Sequence, residues 1–269
     1  MAEVHLLTID AVPPALHGLY GDYSIRPTTS AERLAIEDDF FERGLKISVP
    51  RGTTSIVVPK VQGIKDTADY LECIEFALAL LCDDGFATVS YSSSSADAKF
   101  SSSAEYRQLT GEPQFADALQ GNDVSHWMAA CMQATARELK HARIIHNRYL
   151  RYIRASDAGD ALLDLSICLE ALVGSQTEIA FKFSMLLTKC LGYKDDLALE
   201  TQRLLKRLYT VRCKIAHGDP DAEKEFNKIS PDLPGIRKLS RKILVTYVTF
   251  IAEKTRSQWA THLEEVAIR

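Results

Sequence analysis

Residues Gly159 to Val173 read Gly-Asp-Ala-Leu-Leu-Asp-Leu-Ser-Ile-Cys-Leu-Glu-Ala-Leu-Val. Wound as a helix, Leu162, Leu163, Leu165, Ile167, Cys168, Leu169, Leu172 and Val173 cover nearly its whole circumference. A helix of that kind has to be buried on most sides, so other helices must surround it. Ser156 or Asp157 stands where an N-cap belongs, and Gly174 stands where the helix should end. Two carboxylates interrupt the apolar surface. Asp164 is expected near the exposed start of the helix. Glu170 either finds a cationic partner, with Arg212 the candidate, or lies on a face that reaches solvent.

The surroundings supply the helices. From Asp123 the apolar spacing is helical almost throughout. One long helix is expected from Asp123 to Arg154, with Val124, Trp127, Cys131, Leu139, Ala142, Ile145 and Tyr149 inward. Others are expected over 178–191 and 196–217, with one or two more over 233–269. Gly192 and Gly218 mark two of the stops. Short connections make sequence neighbours antiparallel, which gives an all-α bundle of about five helices.

The preceding part reads differently. Val4–Ile9, Leu19–Ile25, Lys46–Val49, Ser55–Pro59 and Phe86–Ser92 read as strands, and Ala31–Arg43 and Asp66–Leu81 as helices. The serine-rich run from Ser90 to Ser103 suits a linker and a polar hairpin equally well. The expected organisation is an α+β N-terminal domain of unknown role over residues 1–118, followed by the helical bundle over 119–269.

Composition excludes some classes. A hydrophobic share of 46% with 25% charged residues is that of a soluble globular protein. The net charge of −4 exerts no overall pull on nucleic acid, so any such site must be a local patch. No secretory leader is legible at the N-terminus, and the apolar runs are too short to span a bilayer. The 6 cysteines form no CxxC or CxxH pair, which fits buried free thiols in a cytoplasmic protein. No metal site and no phosphate-binding glycine loop is legible, and no cofactor is expected.

Candidate chemistry sits in the run Leu204-Leu205-Lys206-Arg207-Leu208-Tyr209-Thr210-Val211-Arg212-Cys213-Lys214-Ile215-Ala216-His217-Gly218. Leu204, Leu208, Val211 and Ile215 form one apolar stripe. Arg212 and His217 fall in the last turns, about 140° apart around the helix. A long arginine and a histidine leaning back toward it can flank one anion. Equally, such residues at a helix end often only bind carbonyls or complement the dipole.

The spacing Tyr209-x-x-Arg212-x4-His217-Gly218, preceded by Leu169-Glu170-Ala171-Leu172, resembles the HEPN superfamily, and within it the Apea-like group. The likeness covers roughly the C-terminal half of the chain. It implies a metal-independent endoribonuclease acting as a homodimer, in prokaryotic defence or stress, as toxins and antiviral effectors do. Arg212 and His217 would be catalytic. Glu170, Cys213, Lys214 and Tyr209 would support them, and RNA would be the partner. The N-terminal domain would then sense a trigger or engage a regulatory partner. Many nucleases of this superfamily carry a polar residue after the arginine, where this chain has Cys213. That favours an alternative, a non-catalytic module that dimerises or engages a protein, RNA or nucleotide.

A second feature is basic. Lys140, Arg143, Arg151 and Arg154, with Asn147 between, follow i, i+3, i+11 and i+14 and form one stripe, with Arg137 and Arg148 beside it. It reads either as an RNA-binding surface that tracks phosphates or as a solvated helix face.

Overall fold

Asp157 starts the central helix. Its carboxylate accepts from the Asp160 N–H at 2.9 Å, and Gly174 ends the helix in the left-handed region at φ 64°. This computed structural model of the chain describes residues 3–8, 18–20, 23–27, 29–31, 33–34, 37, 54–59, 76–77, 79–80, 88–93, 131, 138–174 and 179–268. The chain divides into two compact units, 1–132 and 133–269. The expected boundary at 118/119 lies outside the described residues.

In the second unit the helices are α1 (Leu139–Arg154), α2 (Ala158–Val173), α3 (Ile179–Cys190), α4 (Asp195–Ala216), α5 (Ala222–Ile229), α6 (Leu233–Glu253) and α7 (Arg256–Ile268), with a 3-10 turn at Ser230–Asp232. The described part of this unit is helical, as an all-α bundle requires. Leu162, Leu165, Cys168, Leu169 and Leu172 of α2 are buried with Phe183 and Leu187 of α3, Leu205 and Leu208 of α4, and Ile243, Leu244 and Tyr247 of α6. Burying each such aliphatic side chain contributes about 1.5–3 kcal/mol. Trp259 of α7 is buried and donates its indole N–H to the Leu172 carbonyl at 3.0 Å, satisfying one of the open acceptors at the end of α2.

Two features depart from the sequence reading. The described helix α1 starts only at Leu139, with Glu138 outside it in a turn, so no single helix runs from Asp123 to Arg154. The Glu138 carboxylate instead accepts from the Arg256 N–H at the start of α7, at 3.4 Å. The sequence reading assigned no element between Gly218 and Leu233, where the short helix α5 stands.

In the first unit the described strands are β1 (Glu3–Thr8), β2 (Gly18–Tyr20), β3 (Tyr23–Pro27), β4 (Thr54–Pro59) and β5 (Thr88–Ser93). They form a sheet in the order β2-β3-β4-β1-β5, every pair antiparallel. The single strand expected over Leu19–Ile25 is two strands. Tyr20 pairs with Tyr23, so only Gly21 and Asp22 intervene in sequence between the two strands. Phe76, Ala77, Ala79 and Leu80 are helical and buried, within the helix expected over 66–81. The Lys46–Val49 strand and most of the serine-rich run lie outside the described residues.

Candidate functional site

Three backbone hydrogen bonds set the exit of α4. The His217 N–H donates to the Cys213 carbonyl at 3.1 Å, that of Gly218 to Ile215 at 3.1 Å and that of Asp219 to Lys214 at 2.9 Å. The last two close a helix end that turns on a left-handed residue, here Gly218 at φ 63°. The helix therefore stops where the sequence pattern puts the stop.

Arg212 leaves α4 on the side that faces α2. Its Nη2 donates to Glu170 Oε2 at 2.9 Å, and the two side chains are 21% and 22% exposed. Farther along α4, Ile215 reaches Gly159 at the other end of α2, so the two helices run in opposite directions. Helical side chains lean toward the N-terminus of their own helix, and between antiparallel helices those leans converge. This is how residues on two different levels of the bundle come to meet. Of the two readings open for Glu170, the structure takes the ion pair.

Tyr209 and Cys213 complete the cluster. The Arg212 guanidinium carbon lies 5.7 Å from the Tyr209 ring centre. Arg212 Nη1 lies 4.0 Å from Cys213 Sγ. The Tyr209 ring packs on Phe183, centre to centre at 5.3 Å. Burial pushes the Tyr209 hydroxyl above its usual pKa, the neighbouring Cys213 and Glu170 push the same way, and Arg212 opposes them. Arg212 Nε is buried with no hydrogen-bond partner among the described residues.

His217 is elsewhere. It caps α4 and is exposed, and its side chain makes no hydrogen bond, ion pair or ring contact among the described residues. It stands about 140° around the helix from Arg212, which is turned toward α2. Glu170, Arg212, Tyr209 and Cys213 thus come together within one chain, and His217 does not join them. Lys214 is half-buried, and its carbonyl holds the Asp219 N–H.

The basic residues of α1 form the expected stripe. Arg143, Asn147 and Arg151 are exposed, and Lys140 and Arg154 occupy the same helical face by position. The helix contains no acidic residue at all. Arg148 is the exception to this outward face. It forms an ion pair with Asp164 of α2. Asp164 is therefore not at an exposed helix start as expected, since its side chain is only 15% exposed. An acid on the apolar helix was matched by a base on the neighbouring one. Cys168 also faces α1, its thiol 3.4 Å from the Ile145 carbonyl. On α2, then, Asp164 and Cys168 face α1 while Gly159 and Glu170 face α4. Those two faces are separated by roughly 120–180° at the helical repeat. The α1 stripe and the motif helix stand on opposite sides of α2.

Away from the motif helix, burial shifts the titration of His146, Cys168 and Cys190. His146 is buried, and burial, with the charge of Arg143 adding, lowers its pKa to about 3. Burial pushes the Cys168 thiol far up and the Cys190 thiol up to about 12. Cys131, Cys168, Cys190 and Cys213 are free thiols. Among the described residues no group of three or more His, Cys, Asp or Glu side chains is placed to hold a metal ion. No described helix is long and apolar enough to cross a membrane.

One face was overlooked in the sequence. On α4, Arg203, Lys206, Thr210, Lys214 and His217 stand at i, i+3, i+7, i+11 and i+14, the same spacing as residues 140, 143, 147, 151 and 154 of α1. The signal was in the spacing, but attention to the Arg212–His217 pair hides that the histidine belongs to a different stripe from the arginine. The chain matches no known protein family, no characterised protein and no solved structure.

Proposed function

We propose that the second unit is a metal-independent endoribonuclease of the HEPN type, acting in the cytoplasm as a homodimer. The observation that carries the reading is the Arg212–Glu170 ion pair, which fixes a guanidinium near the end of α4 while His217 stands exposed five residues on. In this reading His217 moves protons near neutral pH, taking one from a ribose 2′-hydroxyl or giving one to the leaving 5′-oxygen. The 2′-oxygen attacks the adjacent phosphorus, the bond from phosphorus to O5′ breaks, and a 2′,3′-cyclic phosphate remains. A guanidinium already oriented by a carboxylate keeps further N–H donors for the phosphate, where charge builds in the transition state. Two copies related by a two-fold axis supply both an acid and a base, and can bring the histidine of one chain to the arginine of the other.

The test is cleavage of single-stranded RNA by the full chain in the presence of EDTA. His217→Ala is expected to abolish it while leaving the fold intact. Wild-type protein that cuts no RNA, or a His217→Ala protein that cuts as well as wild type, overturns the reading. One observation favours a second reading, a non-catalytic binding module. Within a single chain Arg212 faces α2 and His217 faces solvent, so the pair does not converge on one point. Sedimentation that finds only monomer at micromolar concentration favours that second reading.

A further inference from the structure

We infer that the solvent face of α4, formed by Arg203, Lys206, Thr210, Lys214 and His217, is a binding track for the sugar–phosphate backbone of single-stranded RNA, ending at His217. The inference rests on the ribonuclease reading for the identity of the polyanion, and on geometry for the place. These five residues lie within about 100° of one another around the helix, and they span about 21 Å along it at 1.5 Å per residue. Arg203, Lys206, Thr210 and His217 are exposed, and Lys214 is half-buried. Among the described residues neither Arg203 nor Lys206 has a hydrogen-bond or ion-pair partner for its side chain, so both charges stand open to a ligand. Arg207 beside them is committed, to Asp232 at 2.7 Å and to the Lys228 carbonyl at 2.9 Å, which anchors α4 to the turn after α5. Lys214 lies near Glu225, which is itself engaged by Lys228 at 2.7 Å.

The face also has a direction. Asp196 and Glu200 lie on it one to two turns before Arg203, and both are exposed. They repel a polyanion there, so the backbone is confined to the stretch from Arg203 onward, toward the helix end that holds His217. The α1 stripe belongs to a different side of the bundle, because α1 packs on the Asp164 face of α2 and α4 on its Glu170 face. The structure therefore assigns the track to α4 and leaves α1 as a separate basic surface.

The experiment is equilibrium binding of a fluorescein-labelled single-stranded oligoribonucleotide to the full chain over a range of salt, followed by anisotropy, with cleavage assayed in parallel. Arg203→Glu with Lys206→Glu is compared with Arg143→Glu with Arg151→Glu. All four positions are exposed, and circular dichroism checks that each variant is folded. The α4 double variant is expected to bind about tenfold more weakly or worse, with a log–log salt slope shallower by about 1.4, two phosphates at about 0.7 each. An unchanged slope in the α4 variant, with the loss in the α1 variant instead, overturns the track while leaving the ribonuclease reading standing. Loss of binding in the α4 variant together with undiminished cleavage by His217→Ala supports the track and overturns the ribonuclease reading. Wild-type protein that binds no RNA at low salt overturns both.

Discussion

Arg212 of the motif helix donates to Glu170 of the central helix at 2.9 Å, across 42 residues of sequence, with both side chains about four-fifths buried. The pair joins the face of α2 that packs on α4. Each partner is costly without the other. Glu170 alone would leave a largely buried carboxylate without its cation, and Arg212 already carries a buried Nε with no partner among the described residues.

A double-mutant cycle measures that interdependence. Glu170→Gln and Arg212→Ala should each lower the urea-unfolding free energy by about 1–3 kcal/mol, since each strands a partly buried polar group. The double variant should lose less than the sum, with a coupling of about 1–2 kcal/mol. Strict additivity would mean that the two groups are solvated independently in solution. Because Arg212→Ala unsettles the fold, lost activity in that variant alone does not assign it a role in chemistry, whereas loss in His217→Ala does.

The legible and illegible parts of this chain follow from how local each determinant is. The start and end of α2 were legible because Asp157 and Gly174 act on their own helix. The exit of α4 was legible because Gly218 does the same. The partner of Glu170 was only one of two open readings, since choosing it requires the antiparallel packing of α2 on α4. Asp164 was misplaced for the same reason: nothing near it in sequence announces Arg148. Helix α5 was missed because 8 residues are too few to show a repeat. The split of the expected Leu19–Ile25 strand was a missed local signal, Gly21-Asp22 between two tyrosines.

His146 makes the stability of the fold depend on pH. In the unfolded chain its imidazole takes a proton near pH 6.5, whereas in the fold burial, with Arg143 adding, lowers that to about 3. At pH values above both, the group is neutral in either state and contributes no slope. Between the two values the unfolded chain binds a proton that the folded chain refuses, so stability falls as pH falls, by about 1.4 kcal/mol per unit once the effect is complete. Urea midpoints of wild type and His146→Gln, compared at about pH 7.5 and about pH 5, check this, because only the wild type carries the linked proton. Whatever its stability at about pH 7.5, the variant should change less between the two conditions. Equal changes in the two proteins would mean that His146 titrates normally.

The end of α4 gives the last expectation. Gly218 adopts φ 63°, and a methyl group added to its Cα would meet no atom within 4 Å. Any penalty for Gly218→Ala is therefore backbone strain and not a clash. Moving an L-residue with a Cβ into the left-handed region costs about 1–2 kcal/mol, and less for asparagine, whose side chain tolerates that region. Gly218→Ala should lower the urea-unfolding free energy by about 1 kcal/mol, with Gly218→Asn intermediate between it and wild type. His217→Ala, one residue earlier but exposed and without a side-chain partner, should stay within about 0.5 kcal/mol of wild type. This ordering separates the two roles at the helix end, glycine for geometry and histidine for whatever meets it from solvent. If His217→Ala proved as costly as Gly218→Ala, the histidine would be part of the helix cap, and its exposure would have no bearing on RNA.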